Sequence, residues 1–426
     1  MILNTIKQKK YWVYNVNQEQ KWNVVSEFPS IQDAQQLELV KQQEQQMLFA
    51  ADSTDTVLFR YKPDDEFLTY LKNEGIVLPK MQIADPYSGR FDNLEALSDK
   101  AVLTVPYIVT SDLYEEFGLD ESINLYGAKH DLVKRLNNKF ETRRFAENNL
   151  FQTTKGFFCT NEDELRLAYN KLKQEGFERC VLKIAYGSSG KGLKLIDNDR
   201  SFNLLLKFIT RRNKQFYLLL EGWYTVRQNI NCQLFISTEE VQILAVTEQQ
   251  IDNNGVYMGT NFTPYYEAAL VERYKLEMLR LGRLLQGQGY RGICGVDSII
   301  DQEGSLFPII EINARLTQVS YLISQVMKLK QQYQVVESRF IRFNSSSSLN
   351  FNTVYNIVEK AVVPSQENRF LIYTFARHNS IEFDCVLYRV FVLFYGDDRS
   401  AVEAMIVRFN GLNGEFKTDI KTEQEV

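Results

Sequence analysis

Short apolar runs alternate with amphipathic segments over the first third of the chain, and this pattern predicts an α/β unit. Apolar runs at 55–59 and 101–110 predict two strands. A helix is predicted after Pro63, and Gly75 ends it before a further strand at 76–78. Strand, helix and strand at this spacing favour parallel pairing. We therefore expect residues 1–130 to form an α/β domain.

The segment 32–49 is rich in glutamine and interrupts this pattern. Leu37, Val40 and Leu48 still give it an irregular helical stripe. We interpret the segment as a surface helix rather than a disordered tract.

The middle of the chain mixes helical and strand patterns, as is typical of an α+β domain. A helix at 160–176 is predicted from its cap (Thr160 or Asn161), its acidic first turn and Gly176 at its end. The further predicted elements are strands at 181–185, 216–220, 227–236, 241–246, 295–300 and 307–313, and a helix at 267–285. The polar residues at 247–263 are predicted to form a long functional loop.

The last hundred residues predict a small αβ extension. A helix at 319–330 precedes it, and the serine run at 345–348 predicts a linker or loop. Strands at 370–375 and 386–394 and a helix at 400–409 complete it.

Composition adds bounds rather than chemistry. A chain of 426 residues with 44% hydrophobic residues is long enough for two or three domains. The formal net charge of −5 gives no global basic field, so we expect no nucleic-acid partner. No apolar stretch approaches a membrane span, so we expect no membrane partner and a cytoplasmic protein.

The cysteines and histidines exclude several kinds of site. The five cysteines are scattered without a CxxC pair, so neither a zinc site nor a disulfide framework is indicated. Only two histidines are present, which argues against a histidine-based triad or metal site.

The segment 292–318, GICGVDSIIDQEGSLFPIIEINARLTQ, predicts two short strands joined by a turn. Asp297, Glu311 and Asn313 are polar residues inside apolar, β-branched runs, where they are poor strand formers. Glu311 and Asn313 are two residues apart and share a face, and pairing of the strands brings Asp297 near it. Hard oxygen ligands at this density suit Mg²⁺ bound together with nucleotide phosphates. The alternative is a hairpin whose acids face water, and on this segment alone the two interpretations have equal weight.

Three upstream features suit the phosphates of a nucleotide. In the basic stretch 130–149, Lys139 and Arg143 are one helical turn apart and can reach one anion. Lys183 lies in an apolar strand and needs an anionic partner. The Gly/Ser loop after that strand contains Ser188, Ser189 and Gly190, whose backbone N–H groups can approach phosphate oxygens closely.

The strand at 216–220 ends in Glu221, which is followed by glycine and two aromatic residues beginning with Trp223. Such a strand end suits an adenine slot, because backbone groups read the purine edge while apolar side chains cover its faces. For the Gly/Ser loop, the alternative is a hairpin turn without chemical meaning.

The order and spacing of these features resemble the ATP-grasp superfamily of carboxylate–amine and carboxylate–thiol ligases over residues 139–318. The phrases VTEQ, GVYMGTNF, GVDSII and EINARLTQ are similar to the branch with a pre-ATP-grasp N-terminal domain. That branch includes glutamate–acyl carrier protein ligases of butirosin type and peptide ligases of pheganomycin type. The resemblance implies an ATP-grasp fold, in which two α+β subdomains grip ATP, preceded by a Rossmann-like domain and followed by the αβ extension. The implied domains are 1–130, 131–330 with a lid at about 150–222, and 331–426.

The resemblance also implies a role for each candidate residue. Lys139 and Lys183 would bind ATP phosphates, and Ser188, Ser189 and Gly190 would form the flap over them. Glu221 and Trp223 would frame the adenine. The superfamily often has an acid for the ribose, but here the nearest candidate is Asn229.

On the catalytic side, Asp297, Glu311 and Asn313 would hold Mg²⁺, with Mn²⁺ as an alternative ion. Arg315 would face the acyl phosphate or the substrate carboxylate, and Lys183 would assist phosphoryl transfer.

The implied activity is ATP-dependent activation of a carboxylate, such as that of an amino acid, as an acyl phosphate, which an amine then attacks to form an amide. Natural-product biosynthesis is the expected setting, and a homodimer is an expected assembly. One alternative is transfer to a carrier-protein thiol or a carrier-bound amine. The other is a regulatory nucleotide-binding protein without ligase activity, against which the complete set of metal ligands argues.

Overall fold

The computed structural model describes residues 8–23, 34–85, 87–91, 101–117, 123–187, 192–212, 215–253, 255–380, 382 and 384–415. The described α-helices are α1 Ala34–Lys41, α2 Asp65–Asn73, α3 Leu113–Phe117, α4 His130–Leu136, α5 Lys139–Asn148, α6 Glu162–Gln174, α7 Asp199–Arg212, α8 Ala268–Gly287, α9 Gln318–Leu329, α10 Phe351–Val362 and α11 Arg399–Asn410. Two 3-10 helices span Glu19–Trp22 and Gln42–Phe49. The described strands are β1 Lys9–Val13, β2 Thr56–Phe59, β3 Lys80–Ile83, β4 Val102–Pro106, β5 Gly156–Cys159, β6 Cys180–Lys183, β7 Leu193–Ile196, β8 Leu218–Gly222, β9 Val226–Ile236, β10 Val241–Ile251, β11 Tyr257–Asn261, β12 Gly292–Asp301, β13 Leu306–Asn313, β14 Val335–Ser345, β15 Asn368–Ser380, β16 Cys385–Gly396 and β17 Gly414–Glu415.

The N-terminal part contains a four-stranded sheet in the order β3-β2-β1-β4, in which every pairing is parallel. This confirms the predicted α/β unit. The predicted strand at 76–78 is wrong, because pairing begins only at Lys80, after Pro79. Proline cannot donate to a ladder, so the apolar residues before it form an extended connection instead.

The second half of the glutamine-rich segment is buried, so the predicted surface helix is wrong there. Gln42–Phe49 is a 3-10 helix whose residues are all buried. The amide of Gln42 both donates to the backbone carbonyl of Arg377 and accepts from its N–H, over 2.8 and 3.1 Å. Gln45 bonds Phe375 in the same way, over 2.9 and 2.7 Å.

The spacing of these two glutamines explains the helix type. A 3-10 helix rises about 6 Å over three residues, close to the roughly 6.7 Å between alternate residues of a strand. Gln42 and Gln45 therefore match two successive backbone sites on β15, the edge strand of the large sheet. Their amides satisfy the edge as a further strand would, which joins the N-terminal part to the far end of the chain.

The large sheet has the order β13-β12-β9-β10-β11-β14-β16-β15, with β17 beside β14. It confirms the predicted antiparallel strands around 227–246 and the acidic hairpin. The predicted loop at 247–263 is wrong, because β10 continues to Ile251 and turns into β11. The polar residues there lie on strands of an antiparallel sheet that has one solvent-facing side. A prediction based on polarity alone does not distinguish such strands from a loop.

A second antiparallel sheet, β5-β8-β6-β7, lies within the predicted lid. Its own apolar core joins α6 and α7 to the strands through Leu165, Leu172, Leu182, Leu206 and Leu218. Asn161 caps α6 by accepting from the N–H of Glu164, which confirms the predicted helix start. The domain boundaries stay predictions. The predicted boundary at residue 330 falls between α9 and β14, and β14 pairs with β11, so the large sheet continues across that boundary.

Candidate active site

Two carboxylates face each other on the acidic hairpin. Asp297 of β12 and Glu311 of β13 are direct partners in the antiparallel register, and Gly295 is opposite Asn313. The Asn313 amide donates to Asp297 Oδ2 over 3.2 Å. Burial and the neighbouring charge of Glu311 together raise the pKa of Asp297 to about 6. A bound divalent cation would stabilise the ionised form of Asp297 and so lower this raised pKa.

Two amides that sequence reasoning missed complete the surroundings of Asp297. Asn231 of β9 and Gln249 of β10 both donate to Asp297 Oδ1, over 2.7 and 2.8 Å. Gln233 in turn donates to Asn231 over 2.7 Å and is fully buried. A signal was present, because Asn229, Asn231 and Gln233 alternate with the apolar residues Ile230 and Cys232 and so share one face of the strand.

Lys139 connects the acidic hairpin to the root of the Gly/Ser loop. It is the first residue of α5, directly after the N-cap Asn138. Its buried ammonium pairs with Glu311 Oε1 at 2.5 Å and donates to the carbonyl of Gly187 over 2.8 Å. The structure therefore brings this predicted phosphate ligand beside a predicted metal ligand.

Lys183 and Arg143 share one buried carboxylate, that of Glu221. Lys183 Nζ lies 2.7 Å from Glu221 Oε2, and Arg143 Nη1 lies 2.6 Å from Oε1. Burial alone would raise the pKa of Glu221, but the two cations outweigh it and hold that pKa below its usual value. A Cβ at Gly156, opposite on β5, would lie 2.7 Å from Glu221 Cγ, so glycine leaves room for this side chain.

One cleft lies between the sheet β5-β8-β6-β7, which we name the lid sheet after the predicted lid, and the acidic hairpin β12-β13. It is lined by Lys139, Arg143, Lys183 and Glu221. Its other wall includes Ile309 of β13, two residues before Glu311. Three cations from α5 and β6 thus meet in the cleft, and one of them, Lys139, also pairs with Glu311 of the hairpin, an arrangement that suits the phosphates of a nucleotide.

The remaining nucleotide candidates lie at the edges of this arrangement. Ser188, Ser189 and Gly190 lie outside the described residues. Trp223 is half-buried, and its backbone N–H donates to the carbonyl of Arg179 over 2.9 Å. Asn229 is half-buried on the same face as Asn231, opposite Ile299 of β12.

Arg315 is buried where the hairpin meets the N-terminal domain. Its Nε donates to Glu19 Oε1 over 2.5 Å, and Nη2 donates to Asn313 Oδ1 over 2.8 Å. Its Cζ lies 5.0 Å from the centroid of the Tyr107 ring. Burial opposes the charge, but Glu19 holds the pKa of Arg315 above its usual value. Sequence reasoning missed Glu19, which has no local signal.

Comparison with known proteins decides what this arrangement belongs to. Residues 136–319 match the family model described as an ATP-grasp domain. The chain is 44% identical over 345 residues to the [butirosin acyl-carrier protein]–L-glutamate ligase of Niallia circulans, which covers 81% of each protein. This chain belongs to the ATP-grasp family.

Solved structures of ATP-grasp ligases share the fold. The N5-carboxyaminoimidazole synthetase of Staphylococcus aureus, complexed with ADP, has a TM-score of 0.55 at 12% identity and covers 94% of this chain and 97% of its own. The phosphoribosylamine–glycine ligase of Thermotoga maritima has a TM-score of 0.54 at 12% identity, with coverages of 94% and 96%. At such identities these likenesses show the fold alone.

The predicted ATP-grasp fold and ligase class are therefore confirmed: the protein is an ATP-dependent, ADP-forming ligase. Among the helices that the structure describes, none has the length and apolar character needed to cross a membrane.

Proposed function

We propose that this ligase activates a carboxylate of an amino acid, glutamate in the first place, and joins it to an amine or a carrier-bound nucleophile. The observation that carries the proposal is that Lys139, which lines the cleft together with Lys183, pairs with Glu311, the carboxylate opposite Asp297. The identity of 44% to a ligase named for glutamate and an acyl-carrier protein supports the choice of substrate and partner.

The nucleotide would occupy the cleft between the lid sheet and the hairpin. Lys139 and Lys183 would bind its phosphates, and Arg143, whose guanidinium shares Glu221 with Lys183, would assist them. Ser188, Ser189 and Gly190 would cover the phosphates. The backbone near Trp223 would read the adenine, Glu221 would frame it through its position at the strand end, and Asn229 would contact the ribose.

The chemistry of Asp297, Glu311 and Asn313 fits a hard divalent cation, because the two carboxylates oppose each other and the Asn313 amide lies beside them. These residues would hold Mg²⁺, with Mn²⁺ as the alternative ion; when bound, the ion neutralises charge on the transferred phosphoryl group. Lys139 pairs with Glu311 in the structure, and three amides donate to Asp297. These contacts would rearrange on loading.

The protein groups then divide the reaction between them. A carboxylate is a poor electrophile, and phosphoryl transfer from ATP converts it into an acyl phosphate with a good leaving group. The Lys183 ammonium would stabilise the negative charge on the phosphoryl group during its transfer. Arg315, beside a cavity lined by Tyr107, Tyr126 and Tyr290, would orient the substrate carboxylate and stabilise the oxyanion that forms when the nucleophile attacks.

A coupled assay of ADP release tests the proposal over a panel of amino acids, with and without amines and a carrier protein. We expect glutamate-dependent release that Glu311→Ala abolishes. Glu303→Ala is the matched control, because Glu303 is exposed in the turn of the same hairpin. Release that survives Glu311→Ala would contradict the metal assignment.

The acceptor decides between the two chemical outcomes. A product that resists hydroxylamine is an amide, whereas one that hydroxylamine cleaves from the carrier is a thioester. Efficient joining of two free amino acids would argue against a carrier partner. The proposed homodimer is a separate question, which light scattering on the purified protein answers.

A further inference from the structure

Arg389 of β16 carries a guanidinium that has no carboxylate partner among the residues that the structure describes. Its Nε is buried and unbonded within the same part of the chain, while the side chain as a whole is half-exposed. Its Cζ lies 4.5 Å from the ring centroid of Phe340 and 5.0 Å from that of Phe391. The aromatic rings fix the group in place but leave its charge unpaired.

A second arginine faces the same spot. Arg342 of β14 is the direct Cα partner of Arg389 in the antiparallel register. Its Cζ lies 5.6 Å from the centroid of the same Phe340 ring. Burial lowers the pKa of Arg389 to about 10, and the charge of Arg342 acts in the same direction. Like charges directly opposite each other destabilise a sheet unless an anion lies between them.

The arginine pair lies on the face of the sheet that carries the acids. Gln249, which bonds Asp297, is the register partner of Thr260. The Tyr257 hydroxyl bonds Thr260 over 2.7 Å, and the Tyr257 ring lies 6.5 Å from that of Phe340. A continuous row of polar and aromatic side chains therefore leads from the acidic hairpin to Arg389.

A second route reaches Arg389 from Arg315 through the N-terminal domain. The Tyr107 ring lies 5.0 Å from the Arg315 guanidinium and 5.1 Å from the Tyr14 ring. Burial raises the pKa of Tyr14, and the charges of both Arg389 and Arg315 act to lower it. Tyr14 and Tyr107 of the N-terminal domain thus connect Arg315 with the neighbourhood of the arginine pair.

The distance selects the kind of ligand. Asp297 and Arg389 are five strand steps apart, because the order between them is β12-β9-β10-β11-β14-β16. Five steps at about 4.8 Å span roughly 24 Å along the sheet, which curvature shortens. A free amino acid cannot reach from one end to the other, since one extended residue spans at most about 3.6 Å. An anion bound at Arg389 that belongs to the substrate would therefore lie at the far end of an elongated molecule.

We propose that Arg389, with Arg342 beside it, binds an oxyanion at the far end of an elongated acceptor, namely the phosphate of a pantetheine arm on a carrier protein. The nucleophilic end of the arm then reaches the acyl phosphate near Arg315. The inference rests on the proposed function, because it concerns the acceptor of that reaction. The C-terminal carboxylate of a peptide acceptor has the same oxyanion chemistry, and it is the second possible source of the anion that binds Arg389.

Calorimetric binding to the full-length protein tests the site without requiring turnover. The first probe pair is 4′-phosphopantetheine and pantetheine, which differ by the phosphate; the second is tetraglycine and its C-terminal amide. Wild type is expected to bind phosphopantetheine about 10- to 100-fold more tightly than pantetheine. Arg389→Ala should remove that preference, and Arg389→Lys should retain part of it because the charge remains.

Arg377→Ala is the matched control, because Arg377 lies on the neighbouring strand β15 but already pairs with Asp64 at 3.7 Å. It should leave the preference intact, and thermal unfolding checks that each variant is folded.

The outcomes also distinguish the two sources of the anion. If wild type prefers only tetraglycine over its amide, and Arg389→Ala loses that preference, the oxyanion site binds a peptide carboxylate. The proposal is overturned if folded Arg389→Ala keeps the wild-type preference, or if wild type discriminates within neither probe pair. Absence of ADP release with every amino acid would contradict the proposed function alone, because the binding comparison does not depend on turnover.

Discussion

The side-chain amide of Asn23 makes two hydrogen bonds with the backbone of Tyr186. Its Nδ2 donates to the Tyr186 carbonyl over 2.9 Å, and its Oδ1 accepts from the Tyr186 N–H over 3.2 Å. The Trp22 ring packs edge-on against the Tyr186 ring at 5.4 Å. The N-terminal part of the chain thus contacts the start of the proposed phosphate flap, directly before Gly187, whose carbonyl accepts from Lys139.

Asn23→Ala is expected to loosen the start of this flap and impair closure over the nucleotide. We expect a several-fold rise in KM for ATP and more ADP released per product, because water reaches the acyl phosphate. Asn23→Asp should be intermediate, since it can accept from the Tyr186 N–H but cannot donate to the carbonyl. Parallel measurement of ADP and product checks this, and unchanged coupling in the alanine variant would refute a role in closure.

Glu221→Gln is expected to destabilise the empty enzyme and to increase its stabilisation by ATP. Removing the charge leaves Lys183 and Arg143 buried without their shared counter-ion, which costs about 3 kcal/mol or more. Nucleotide phosphates can replace that counter-ion. Thermal unfolding with and without ATP measures both effects. Glu147→Gln is the control, because Glu147 also pairs with Arg143 but is exposed; an equal effect of the two variants would contradict the buried pairing.

Asp297→Asn is expected to change how the metal-free stability depends on pH. The folded-state pKa of Asp297 is about 6, above the usual value of 3.8 for an aspartate. The folded protein therefore holds a proton that the unfolded chain releases, and wild type loses stability as pH rises from about 4 to about 6. Urea unfolding in EDTA should show this loss in wild type and a flatter profile in Asp297→Asn. The variant should gain stability relative to wild type at pH 8 and lose activity, and equal slopes would argue against the raised pKa.

Two neighbouring glutamines should respond oppositely to the same substitution. Gln45→Leu removes both bonds to the backbone of Phe375 and leaves two buried groups unpaired, at about 1–3 kcal/mol each. Gln46 is fully buried, and its amide atoms have no partner within the part of the chain that the structure describes. Gln46→Leu should therefore be neutral or stabilising. Urea unfolding of both variants checks the contrast, and similar losses would mean that the edge-strand bonds are not what distinguishes them.

The sequence by itself determined the elements and the faces that their side chains occupy. Alternation placed Glu311 and Asn313 on one face of a strand and predicted that pairing would bring Asp297 beside them, as the register shows. Cap residues and acidic first turns located α6 for the same reason: these signals act between residues that are close along the chain.

Only the tertiary structure decided which side chains meet across elements. Glu19 and Arg315 are 296 positions apart, and Asn23 and Tyr186 are 163 apart, so no local pattern links them. The same holds for Gln42 and Gln45, whose polarity predicted a surface helix although they satisfy a buried strand edge. A polar side chain carries the same local signal whether water or a distant backbone satisfies it, and the fold alone selects the partner.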